Sequence, residues 1–154
     1  MSNLQDDVDE KIIDGLTNYA TAISDLEAGQ AGALMYQRVK RELAQLVQPS
    51  DLCKLAFPSF IIRSDLRAEC FAVVLTDRLV IAWKTGLFRK TVSTLTIPVA
   101  SITSVQLRTG AAPGMRGAAL LDISGSPSAT ITLQKGRTDA AAAVIRTAIE
   151  PIAD

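Results

Sequence analysis

A chain of 154 residues with 48% apolar and 21% charged side chains is globular in composition, neither disordered nor fibrous, and can bury a core in one domain of ordinary size. It contains no histidine, which excludes Ser-His-Asp and Cys-His catalytic arrangements and most catalytic zinc sites. Its 16 basic and 16 acidic side chains cancel, which argues against a dedicated nucleic-acid binder, and neither a bilayer-length apolar run nor a signal peptide is legible, so a cytoplasmic protein is expected.

The charge is unevenly divided along the chain. Residues 1–50 hold 8 acidic and 4 basic side chains, a balance of −4, and the remainder holds 12 basic and 8 acidic, a balance of +4, so the two segments are expected to attract. In the first segment Leu4, Val8, Ile12, Leu16, Tyr19, Ile23 and Leu26 recur at steps of four and three and predict one face of a long helix. Ser2 with Gln5 reads as its capping box, and Asp6, Asp7, Asp9 and Glu10 suit a helix N-terminus. Gly29 and Gly32 break the pattern. A second stripe, Ala31, Met35, Val39, Leu43 and Leu46, carries Lys40 and Arg41 toward its C-terminal end and stops at Pro49. Residues 1–48 are therefore expected to form a helical hairpin. Its first stripe is longer than the second helix can cover, which makes Leu4 to Leu26 a candidate association surface for a second copy or another protein.

Beyond Pro49 the period changes to short segments rich in Val, Ile, Thr and Leu, at 52–62, 69–75, 79–84, 90–97, 102–108, 118–124 and 129–134, which predict seven strands. Turn residues separate them: Arg63-Ser64-Asp65, Thr76-Asp77-Arg78, Lys84-Thr85-Gly86, Pro98, Gly110 to Gly117, and Gly125-Ser126-Pro127. The last stretch puts Ala141, Val144, Ile145, Ala148, Ile149 and Ile152 on one helical face after a Thr138 or Asp139 cap. Two units are expected: residues 1–48 as the hairpin and 49–154 as an antiparallel β-domain closed by a C-terminal helix, α+β in class.

Seven antiparallel strands followed by one amphipathic helix is the layout of the pleckstrin-homology superfold. Leu75-Thr76-Asp77 ends one strand, Lys84-Thr85-Gly86-Leu87-Phe88 forms a later turn, and Ile97-Pro98 leads to Ile102, Ser104 and Val105. In that wording Val74 to Leu107 resembles the bacterial pleckstrin-homology-like (YokE-like) domains, and by order of elements the resemblance extends over 52–152. One position departs from the family pattern, which usually places Arg where this chain has Leu79. The resemblance implies a seven-stranded barrel, homo-oligomer formation, and an anionic-ligand site at the open end built from the first, third and sixth strand connections. On this chain the first and third of those carry Arg63, Arg67, Lys84, Arg89 and Lys90, a candidate site for anionic lipid or another anion. The ordinary alternative is a solvated face.

Other features point to no chemistry. Cys53 and Cys70 read as half-buried apolar thiols, in contact only if their strands pair suitably. Asp65, Glu69 and Asp77 lie in or beside turns and Asp122 is alone in its strand, so no carboxylate pair suggests acid/base work. The stretch Gly110 to Gly117 lacks the Gly-Lys-Ser/Thr of a phosphate loop. Leu87 and Phe88, flanked by cations, suit either an anionic membrane interface or packing back on the barrel. The expectation is a non-catalytic module with no cofactor and no metal, acting by self-association or a protein partner, or alternatively at an anionic membrane surface.

Overall fold

The change of period near Pro49 marks the change from helices to sheet. In a computed structural model, residues 17–29, 33–63, 66–85, 91–109 and 119–133 are described. The chain runs β1 (Thr17–Asn18), α1 (Tyr19–Gly29), α2 (Ala33–Leu43), β2 (Leu52–Arg63), β3 (Leu66–Leu75), β4 (Arg78–Thr85), β5 (Thr91–Pro98), a 3-10 turn (Val99–Ser101), β6 (Ser104–Thr109), β7 (Ala119–Ser124) and β8 (Ala129–Leu133). The expected C-terminal helix, the Gly110 to Gly117 connection, and Leu4, Val8, Ile12 and Leu16 lie outside the described residues.

The strands form one antiparallel sheet in the order β5-β4-β3-β2-β8-β7-β6, curled into a half-barrel, and β1 adds an eighth strand of two residues against β2. Long β2 pairs with β3 from Cys53 to Arg63 along one edge and with β8 at Phe60 to Ile62 on the other, and so joins the two halves of the sheet.

Alternation along the strands separates two cores. On the inner face Phe57, Ile61, Cys70, Ala72, Val74, Leu79, Ile81, Trp83, Ile97, Leu121, Ile123 and Ile131 pack together. The intervening residues of the first strands, Ala56, Phe71, Val73, Leu75, Val80 and Ala82, face outward and are equally buried, because α1 and α2 lie over them. Tyr19 and Ile23 of α1 and Met35, Val39 and Leu43 of α2 fill that outer layer, with Tyr36 tilted against Phe71 at 5.5 Å between ring centroids.

Two expectations are corrected. A helix does not run unbroken from Leu4 to Leu26, since Thr17 and Asn18 are extended, pairing with Cys53 and Leu52. Helix α1 starts at Tyr19 because its end is satisfied locally: Asn18 Oδ1 accepts the Thr21 N–H at 2.8 Å, and Tyr19 and Ala20 donate to the Asp51 and Pro49 carbonyls. Second, Tyr19, Ile23 and Leu26 are not an open association surface. Tyr19 and Ile23 are buried, and Leu26 packs beside them, on this chain's own sheet. The expected charge attraction rests mostly on Asp6, Asp7, Asp9, Glu10 and Asp14, which lie outside the described residues. Among the described residues, Arg38 of α2 pairs with Glu69 of β3 at 3.1 Å, and the layer beneath the helices is apolar.

Cys53 and Cys70 are both buried and form no disulfide. Their strands do pair, but Cys53 stands opposite Leu75 and Cys70 opposite Ser59, and the two thiols belong to different faces of the sheet.

Candidate functional site

Three of the cations singled out from the sequence stand at the end of the β2–β3 hairpin and near the end of β4. Arg63 is the last residue of β2, Arg67 pairs with Ile62 at the start of β3, and Lys84 stands opposite Val92 near the end of β4. Arg89 and Lys90, with Leu87 and Phe88, fall outside the described residues.

Both arginines lie over aromatic rings. The Arg63 guanidinium carbon sits 5.3 Å from the centre of the Trp83 ring and that of Arg67 4.9 Å from the Phe60 ring, distances at which the ring quadrupole attracts the cation. Trp83 belongs to the inner core, whereas Phe60 alternates with Phe57 and Ile61 and stands on the outer face. The two guanidinium groups therefore leave the hairpin on opposite sides of the sheet. Arg67 shares the outer side with Lys84 and with Glu69, which Arg38 engages at 3.1 Å.

Arg63 instead borders a shallow cleft of about 350 Å³ between β2 and the β7–β8 turn. Asp122, Ser124, Ser128 and Thr130 supply its other polar lining, and Ile61, Ile62, Ile123 and Ala129 its apolar part. Asp122 is held by a two-point contact from Arg108 and by the Thr130 hydroxyl at 2.8 Å, and Arg108 first, then Thr130, keep its carboxyl below the ordinary carboxylate range against some burial. With that carboxylate occupied, Arg63 and the hydroxyls of Ser124 and Ser128 are the groups on the cleft suited to an anion. The serines and Asp122 were not singled out as ligand residues from sequence. Alternation in Ala119–Ser124 places Asp122 and Ser124 on one face, but which strand end lies beside them depends on β2 pairing with β8.

Arg78 has the densest partner set. One Nη donates to the Leu46 carbonyl and to Asp51 Oδ2, each at 2.8 Å, and the other to Asp77 Oδ1 at 2.7 Å. Asp51 also accepts the Gln48 N–H, so a single guanidinium ties the end of the helical pair, the turn after it and the β3–β4 turn together. It reads as a structural clamp, because both of its Nη groups are engaged by the chain itself.

A second cavity, of about 270 Å³, lies between α1 and α2, with Tyr19, Glu27, Tyr36 and Lys40 among its lining. Burial raises the Tyr19 hydroxyl well above its ordinary pKa, and Tyr36 is raised for the same first reason, so both phenols stay neutral. The Cys70 thiol is pushed up by burial to about 12, which keeps it from being a thiolate nucleophile. Among the described residues no group of three Cys, Asp or Glu side chains is placed to hold a metal ion, and no helix is long and apolar enough to cross a membrane.

No family model matches the chain, and no curated protein matches it. Among solved structures, it is similar to the C-terminal domain of an unknown protein from Leishmania infantum, at 10% identity and a TM-score of 0.49, over 75% of this chain and 94% of that one. A DUF1696 family protein with a pleckstrin-homology domain from Shewanella loihica PV-4 is 19% identical, with a TM-score of 0.45, over 77% of this chain and 92% of its own. The DH/PH domains of PDZ-RhoGEF, in complex with GTP-γ-S-activated RhoA, are 14% identical with a TM-score of 0.47, over 86% of this chain but 40% of that one. With identities of 10–19% and TM-scores below 0.5, these likenesses assign the chain to no family.

Proposed function

We propose that this chain is a non-catalytic interaction module of the bacterial pleckstrin-homology-like type, working by self-association or by holding a protein partner. The observation that carries the reading is burial on both faces of β2 to β4: the inner face closes on its own core and the outer face is sealed by α1 and α2. Such a sheet has no broad apolar face left to receive a substrate, and what it offers a partner is its rim and its strand edges. The order of strands and the Val74 to Leu107 wording support the pleckstrin-homology-like assignment. The non-catalytic part of the reading is supported by the absence of histidine and by the burial of Cys70, which holds its thiol protonated.

A second reading is favoured by one observation, the placement of Arg63 on a polar cleft with Ser124 and Ser128. In that reading Arg63, with the hydroxyls of Ser124 and Ser128, binds an anionic lipid headgroup or a free anion, Arg67 and Lys84 standing on the other side of the sheet, and the protein works in the cytoplasm or at the membrane surface.

Two measurements on the full chain separate the readings. Light scattering after size exclusion, over a wide concentration range, is expected to show mass rising with concentration. Sedimentation with phosphatidylserine vesicles at low salt tests the second reading, and binding lost in Arg63→Ser but kept when Lys84, Arg89 and Lys90 are all replaced by Ser would establish the cleft as the site. A chain that stays monomeric, ignores vesicles and captures no protein would retire the module. Deleting residues 1–48 is not a usable probe of assembly, because it strips the cover from Phe71, Val73 and Val80.

A further inference from the structure

The sheet has two ends, and they are built differently. Edge strand β6 is six residues long and carries Arg108, whose contact with Asp122 places charge beside that edge. Natural sheets blunt their edges with such charges, with short strands, with bulges or with proline. Strand β5 at the other end uses none of these along its length. Its eight residues, Thr-Val-Ser-Thr-Leu-Thr-Ile-Pro, carry no charge, and proline comes only at the last position. It pairs with β4 without a bulge from Arg78–Pro98 to Thr85–Thr91, so its other edge is straight, and among the described residues no strand pairs with that edge.

We propose that β5 docks a second copy of this chain, the two β5 strands pairing antiparallel across a two-fold axis; this rests on the interaction-module reading and names its surface. Composition argues for a copy rather than an unlike partner. An edge without charge offers a foreign peptide nothing to read electrostatically, whereas it is complementary to itself.

In an antiparallel pair, opposed residues share a face, so the axis falls on a residue of β5. Centred on Leu95, that residue meets its own counterpart and Thr94 meets Thr96 of the second copy. Centred on Thr94, the threonines meet each other and Ser93 meets Leu95. Threonine pairs are favourable across strands, and Leu95, half-buried against the inner core, gains cover in either register.

The distribution of charge selects the direction. Lys84 stands across from Val92 near the start of β5, and Arg89 and Lys90 precede Thr91 in sequence. A parallel pairing would stack these cations on their copies. An antiparallel one sends them to opposite ends of the joint sheet.

The test is analytical ultracentrifugation of the full chain with two variants at exposed Thr94, T94K and T94E. Wild type is expected to show a monomer–dimer equilibrium. Each variant alone is expected to self-associate about tenfold more weakly or worse, with its melting temperature within a degree or two of wild type, because like charges then stand opposite or diagonal across the axis. Mixing T94K with T94E is expected to restore a mixed dimer. A wild type that is monomeric at every concentration overturns the proposal. So does a self-association that both variants leave intact, or one that the mixture does not restore, and in those two cases the module reading itself survives.

Discussion

The first four long strands and the last three are made of similar residues but arranged for different surroundings. In β3 and β4 the runs Cys70 to Leu75 and Leu79 to Trp83 are buried at every position, since a core lies on each side. In β6 and β7 the pattern alternates: Val105, Leu107, Leu121 and Ile123 turn inward, while Gln106, Arg108, Asp122 and Ser124 turn outward and carry the Arg108–Asp122–Thr130 network. A strand that reads as unbroken apolar sequence announces a second layer, and one that alternates announces solvent. The helices are that second layer, so they belong to the stability of the sheet.

This contrast can be broken most forcefully from beneath the helices. Phe71 has no exposure and meets Tyr36, so Phe71→Ala is expected to cost about 3–5 kcal/mol, read from urea or thermal unfolding. A loss below about 1 kcal/mol would mean that the helical layer is loosely seated.

Next in size is the clamp. Arg78→Ala removes the bonds to the Leu46 carbonyl, Asp51 and Asp77 and leaves a partly buried carboxylate with one partner fewer, for an expected loss of about 2 kcal/mol. The same variant should change the acid limb of stability. The Gln48 N–H first, with help from Arg78 and against burial, holds the Asp51 carboxyl below its ordinary range. A depressed carboxylate adds stability that is fully present above its unfolded pKa of about 4 and is lost as pH falls through the folded value. Without Arg78 that acid-sensitive increment is expected to shrink, which unfolding measured from pH 7 down to pH 2 would show.

The smallest effect concerns charge. Arg38 and Glu69 are both more than half exposed, so Arg38→Ala is expected to cost about 0.5 kcal/mol or less, and less still in high salt. A larger loss would give electrostatics a role in seating the helices.

The periodicities alone indicated an antiparallel sheet preceded by helices, and the second helical stripe, because each depends on residues a few positions apart and on local turn chemistry at Asp77, Pro98 and Gly125. Lys40 and Arg41 fall in the last turn of α2 as the sequence indicates, and Trp83 takes its place in the core. Other features needed the tertiary fold. The stripe continuing through Leu16 and Tyr19 gives no sign that Thr17 and Asn18 would pair with Leu52 and Cys53, since that partner lies more than thirty residues away. Nothing local tells that Arg78 reaches Leu46, that Arg63 and Arg67 part to opposite faces, or that β2 meets β8 and so brings Ser124 and Ser128 beside Arg63. Local sequence states what each segment can bury, by its period and its caps. Which segment it is buried against is decided by pairings across the chain, whose register is set by the whole set of faces that must be covered together.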